Sequence, residues 1–117
     1  MIISKFSTDD GITIFRLSGK LIASTLDGVK TGLDAALAEE KARVVLNFKL
    51  VNIIDSVAVG LLISRFKTAK KKKGAMLFTD LQPALMRLLA LADLDKWLDI
   101  HESEEEALAA LRAEAKS

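Results

Sequence analysis

Hydrophobic positions change their spacing along the chain, and each change marks an element. Residues 11–19, GITIFRLSG, are rich in β-branched side chains and bounded by glycines, which predicts a strand. Residues 1–7 can pair with it across an Asp9-Asp10-Gly11 turn. In STLDGVKTGLDAALAEE, Leu26, Val29, Leu33, Ala36 and Leu37 recur at helical spacing and make one apolar face. Ser24 is placed to cap this helix, with Asp27 three residues on, near the positive end of the dipole. Gly28 and Gly32 weaken the helix but, being four apart, allow close packing on a neighbour.

The run ARVVLNFKL suits a buried parallel strand, and residues 50–54 lead out of it into Asp55-Ser56. From residue 57 to 73 the period becomes helical. Ala58, Leu62, Phe66 and Ala69 share one face, Leu61 and Ile63 flank it, and Lys67, Lys70 and Lys71 lie away from it. Gly74 is positioned to end that helix and admit a strand, GAMLFTDL. Pro83 sits where a first helical residue would, ahead of ALMRLLALA. KWLDI reads as a short edge strand. Ser103 and Glu106 form an S-x-x-E capping box for a last helix, with Arg112 near its end and a frayed tail, RAEAKS. Strands alternating with helices give an α/β fold. The expectation is a mixed sheet of four to five strands, antiparallel at its start, flanked by about four helices, with right-handed crossovers between the later strands.

Composition narrows the class. With 117 residues, half of them hydrophobic and 28% charged, the chain suits one globular domain, residues 1–117. Seventeen basic and 16 acidic residues leave a net charge of +1, which gives no electrostatic case for binding nucleic acid directly. There is no cysteine, so disulfides, thiolate chemistry and cysteine-ligated metals are excluded. The start, MIISKFSTDD, lacks the basic-then-apolar order of a secretory signal. The longest apolar stretch, residues 50–63, is too short to span a bilayer. A soluble, cytoplasmic protein without a membrane span follows as the expectation.

Most candidate chemistry has a plainer explanation. His101 is the sole histidine and lacks companions at metal-ligand spacing. Lys70–Lys73 suit the negative end of a helix dipole, and Glu104–Glu106 suit a positive one. Trp97 reads as a core plug. No phosphate-binding glycine loop, dinucleotide fingerprint or nucleophile elbow occurs, and no nucleophile–base pair is visible, so neither an enzyme nor a bound cofactor or metal is expected.

Asp55-Ser56 is different. Serine is a favoured N-cap, so Ser56 can simply start the helix. As a cap it is poorly built, because Val59 occupies the capping-box position and Val57, Val59 and Gly60 are weak helix formers. Two valines beside a hydroxyl make an apolar patch next to a modifiable group. A phosphate on Ser56 would lie among free N–H groups at a positive helix end, yet beside the Asp55 carboxylate, which would repel it.

At these residues the chain resembles a known family. NIIDSVAVGLLISRFKTAKKKKGAMLF and PALMRLLALADLDKWLDIHESEEEAL, with FRLSGKL near the start, are similar to the STAS domain of anti-sigma factor antagonists. The resemblance implies a small mixed sheet flanked by helices and a protein-binding module rather than a catalyst. Its implied partner is an anti-sigma factor that is also a serine kinase carrying Mg-ATP. The kinase would phosphorylate Ser56, releasing the antagonist, and a phosphatase would reset it. The implied partner surface is Ile22, Ala23, Ser24 and Thr25 with Asp55, Ser56, Val57, Val59 and Gly60, on a monomer or weak dimer. The family usually has a small polar residue and a glycine where this chain has Val57 and Ala58, and an aspartate where it has Ile22. The alternative is a STAS subunit that is never phosphorylated and docks constitutively in a lipid-transport complex or a signalling scaffold.

Overall fold

A computed structural model describes residues 1–115 of the chain. The order is β1 (Ile2–Ser7), β2 (Ile12–Leu21), a 3-10 turn (Ala23–Thr25), α1 (Asp27–Ala36), β3 (Arg43–Ile54), α2 (Ser56–Lys71), β4 (Ala75–Thr79), α3 (Pro83–Leu91), β5 (Ile100–His101) and α4 (Glu104–Ala115). The five strands form one sheet in that same order. β1 runs antiparallel to β2, and every later pair is parallel. The expected mixed sheet of strands and helices is the observed one.

Alternation along the strands builds two cores, because successive side chains point to opposite faces. On one face Phe15, Leu17, Leu46, Phe48, Met76 and Phe78 meet Leu33 of α1, Leu62 and Phe66 of α2 and Leu85 of α3. On the other, Ile12, Ile14, Val45 and Leu77 meet Ala107 and Leu111 of α4, with Leu108 packed beside them. Each fully buried Leu, Ile or Phe contributes about 1.5–3 kcal/mol. The α2 face predicted from period, Ala58, Leu62, Phe66 and Ala69, is the buried one. A Cβ on Gly28 or Gly32 would come within 3.0 Å of Ile3 or Phe15, so these glycines let α1 lie close on the sheet.

Several local expectations need correction. Gly74 does not supply the left-handed residue that ends α2. Lys73 does, at φ 61°, while the Gly74 amide bonds the Ala69 carbonyl at 2.8 Å. Glycine is required at 74 because a Cβ there would lie 2.3 Å from the Ala42 carbonyl oxygen. KWLDI is mostly turn: the Trp97 and Leu98 amides bond the Leu94 carbonyl, leaving Ile100 and His101 to pair with β4. Trp97 is 45% exposed and tilts on Phe66, 5.1 Å between ring centroids, so it lids the core while Leu98 fills it. Ser103 accepts from the Glu106 amide as expected, but Glu106 returns the bond to Glu102, not Ser103. The tail expected to fray is helical through Ala115, and residues 116–117 lie outside the described residues.

Candidate functional site

The end of β3 determines the geometry at Asp55. Leu21 and Ile54 are register partners on parallel β2 and β3, so both strands finish side by side. β2 then enters the 3-10 turn and β3 enters α2. Asp55 joins the two exits. Its amide donates to the Leu21 carbonyl at 3.3 Å. Its Oδ1 accepts from the Ala58 amide at 2.9 Å, and its Oδ2 accepts from the Ala23 amide at 2.8 Å. These N–H donors, Ala58 first and Ala23 second, hold the Asp55 carboxyl below its ordinary pKa.

Asp55 is therefore the N-cap, in extended conformation at φ −106° and ψ 176°. This corrects the assignment of the cap to Ser56. A carboxylate has two oxygens and can serve the helix and the neighbouring turn at once, whereas one hydroxyl favours a single site. Ser56 becomes the first helical residue. It is exposed, and its hydroxyl bonds no group among the described residues. The weak capping noticed around Ser56 has a simple origin: capping is the task of the residue before it.

The neighbours divide by orientation. Val57 is 54% exposed beside Ser56. Val59 turns partly inward and lines a small apolar void with Phe48, Ile54, Leu62 and Leu85. Gly60 is exposed, and a Cβ added there meets nothing within 4 Å. No packing constraint of the fold requires glycine at 60, although glycine costs a helix about 1 kcal/mol relative to alanine. Its effect is a flat surface one turn above Ser56.

Residues 22–25 also lie here, tied by the Asp55–Ala23 bond. Ser24 is exposed and does not cap α1, which begins at Asp27 with no side-chain cap. Thr25 shapes the turn, accepting from the Ile22 amide at 3.1 Å and donating to the Lys20 carbonyl at 2.6 Å. Ala23 is exposed, while Ile22 and Thr25 are half-buried. The structure thus gathers the residues expected at the partner surface at one end of the sheet, with Val59 the most withdrawn. Sequence spacing had no means of finding the Asp55–Ala23 link, since it joins groups 32 residues apart.

The pattern of the STAS domain family matches residues 5–107. The chain belongs to the STAS domain family. Over 102 residues this STAS domain is 34% identical to the anti-sigma F factor antagonist of Paenibacillus polymyxa, covering 86% of this chain and 87% of that one. Among solved structures, a Thermotoga maritima chain superposes with a TM-score of 0.86 at 21% identity, covering 94% of each chain. The Bacillus cell fate determinant SpoIIAA, in its phosphorylated form, gives 0.72 at 20% identity, covering 94% of this chain and 99% of that one. At these identities the structural likenesses speak for the fold. Among the described residues no helix is long and apolar enough to cross a membrane.

Proposed function

We propose that this STAS domain is an anti-sigma factor antagonist switched by phosphorylation of Ser56. It binds an anti-sigma factor and so frees a sigma factor. The 34% identity to the anti-sigma F factor antagonist of Paenibacillus polymyxa supports the antagonist reading. The observation that carries the switch is local: an exposed serine hydroxyl with no partner among the described residues, held at the first position of α2 by a neighbour that has taken over the cap. Such a hydroxyl can enter a kinase site without breaking any bond of the fold.

In the proposed reaction Ser56 Oγ attacks the γ-phosphorus of Mg-ATP carried by the partner kinase. The bond from that phosphorus to the bridging oxygen breaks, ADP leaves, and the hydroxyl proton passes to a base on the kinase. A phosphatase restores the serine by hydrolysis. The STAS domain contributes the acceptor and its placement, and no catalytic group of its own. The phosphate brings about two negative charges beside the Asp55 carboxylate. Asp55 is fixed by two amides and cannot turn away. Repulsion and rehydration at the Val57 surface then oppose docking, whereas the fold beneath is untouched.

Incubation with the cognate kinase and Mg-ATP is expected to add one phosphate, read by intact mass, and Ser56→Ala to add none. An unmodified mass with a demonstrably active kinase overturns the switch. Ser56→Asp is expected to weaken kinase binding while leaving the circular dichroism spectrum unchanged.

A further inference from the structure

α4 covers only part of its side of the sheet. It reaches Ile12, Ile14, Val45 and Leu77, and its first residue, Glu104, bonds Arg16 and Asn47. Beyond that tie the same face continues, because the register shifts at Arg16/Ser18 and Gly19/Lys20 each absorb one extra residue of β3 and so return Leu50 and Ile53 to the face of Asn47. The register carries it across three strands. Ile2 pairs with Ser18, Ser18 with Leu50, and in the adjacent row Lys20 pairs with Ile53. Ile2, Leu50 and Ile53 are 69%, 64% and 43% exposed. Three large apolar side chains in two neighbouring rows form a strip that no described element covers.

Position and charge indicate what covers it. Ile53 lies two residues before Asp55, and the next row, Leu21 beside Ile54, leads directly into the Asp55 hydrogen bonds. The strip therefore ends at the same edge of the sheet from which Asp55 and Ser56 emerge. Two lysines flank it. Lys20 and Lys49 are exposed and take part in no ion pair among the described residues. Lys49 and Leu50 share a groove of about 340 Å³ with Asp80 at its far side and with Glu104, whose charge Arg16 already neutralises. A second copy of this chain fits poorly. Across a two-fold axis lysine edges would meet lysine edges, and three side chains fall well short of the roughly 800 Å² per partner of a standard interface.

We propose that the strip of Ile2, Leu50 and Ile53 is a second part of the interface with the anti-sigma factor. The partner would present an apolar surface edged by carboxylates. This rests on the antagonist reading above, and the test separates the two. The purified cognate anti-sigma factor kinase is titrated calorimetrically with wild type, Leu50→Ser/Ile53→Ser, Lys20→Glu/Lys49→Glu and Ser56→Asp. The serine pair is expected to raise Kd about tenfold or more. The glutamate pair is expected to raise it about tenfold and to abolish its salt dependence. If both pairs bind within twofold of wild type while Ser56→Asp loses binding, the strip is no interface and the Ser56 reading stands. If all variants bind as wild type, the Ser56 reading fails and the strip proposal with it. A dimer in light scattering that the serine pair abolishes makes the occupant a second copy and overturns the proposal. Should the serine pair unfold, the glutamate pair decides alone, since its exposed lysines hold no ion pair in the fold.

Discussion

Gly60 and Thr79 show how a single residue can be at odds with stability. Glycine at 60 loses more conformational freedom on folding than alanine would, and its surroundings are open. Gly60→Ala is expected to stabilise the domain by about 0.5–1 kcal/mol, read as a higher midpoint in urea. If the flat surface serves docking, the same variant binds the anti-sigma factor more weakly. Thr79 is fully buried and its hydroxyl has no hydrogen-bond partner among the described residues. Valine has nearly the same shape without that unpaired group. Thr79→Val is expected to gain about 1 kcal/mol, checked by thermal denaturation. A loss of stability would mean that the hydroxyl is hydrogen-bonded in solution.

At the scale of elements, α4 is the only described helix that covers the second core, and it is tied down at both ends. Glu104 accepts from Arg16 Nε at 2.8 Å and Nη2 at 2.9 Å, and also from Asn47. Arg112 near its other end pairs with Asp10 at 2.9 Å. The acidic start of α4 looked in sequence like a response to the helix dipole alone. Glu105 and Glu106 fit that reading, but Glu104 also bonds across two strands. Glu104→Ala leaves Asn47 and Arg16 without their acceptor and is expected to cost about 1–3 kcal/mol. Amide exchange should then quicken first in α4, while β3 between Val44 and Asn47 stays protected. Equal acceleration everywhere would show that α4 opens only with the whole domain.

Across the molecule, three carboxyls have lowered pKa values for three separate reasons. Arg112 and Thr8 hold Asp10 down, the Ala58 and Ala23 amides hold Asp55, and Arg16 with Asn47 holds Glu104. Each folded value lies below the ordinary one, 3.8 for Asp and 4.5 for Glu. The unfolded chain therefore binds protons first on acidification. The stabilisation is fully present above about pH 4.5 and is lost as pH falls through the folded values. Melting temperature is expected to hold steady on this account from neutrality to about pH 5 and then to fall. In Asp10→Asn/Asp55→Asn/Glu104→Gln the fall should be shallower. An unchanged slope would place the acid sensitivity in other groups.

Period and turn chemistry alone determined that this is an α/β chain with a mixed sheet, which face of α2 is buried, and that Asp55-Ser56 breaks an apolar run between a strand and a helix; that Ser56 is exposed came from the structure. The first three properties are local: they depend on side chains a few positions apart, whose geometry a helix or strand imposes. Motifs along most of the chain also carried the family resemblance. The tertiary structure decided the rest. Asp55 took the cap from Ser56 because the end of β2 brings the Ala23 amide to its second oxygen, which no local spacing encodes. Gly74 proved to be a packing residue because Ala42 lies against it. Ile2, Leu50 and Ile53, scattered through the sequence, became one strip only when the register of three strands aligned them and α4 stopped short of covering them.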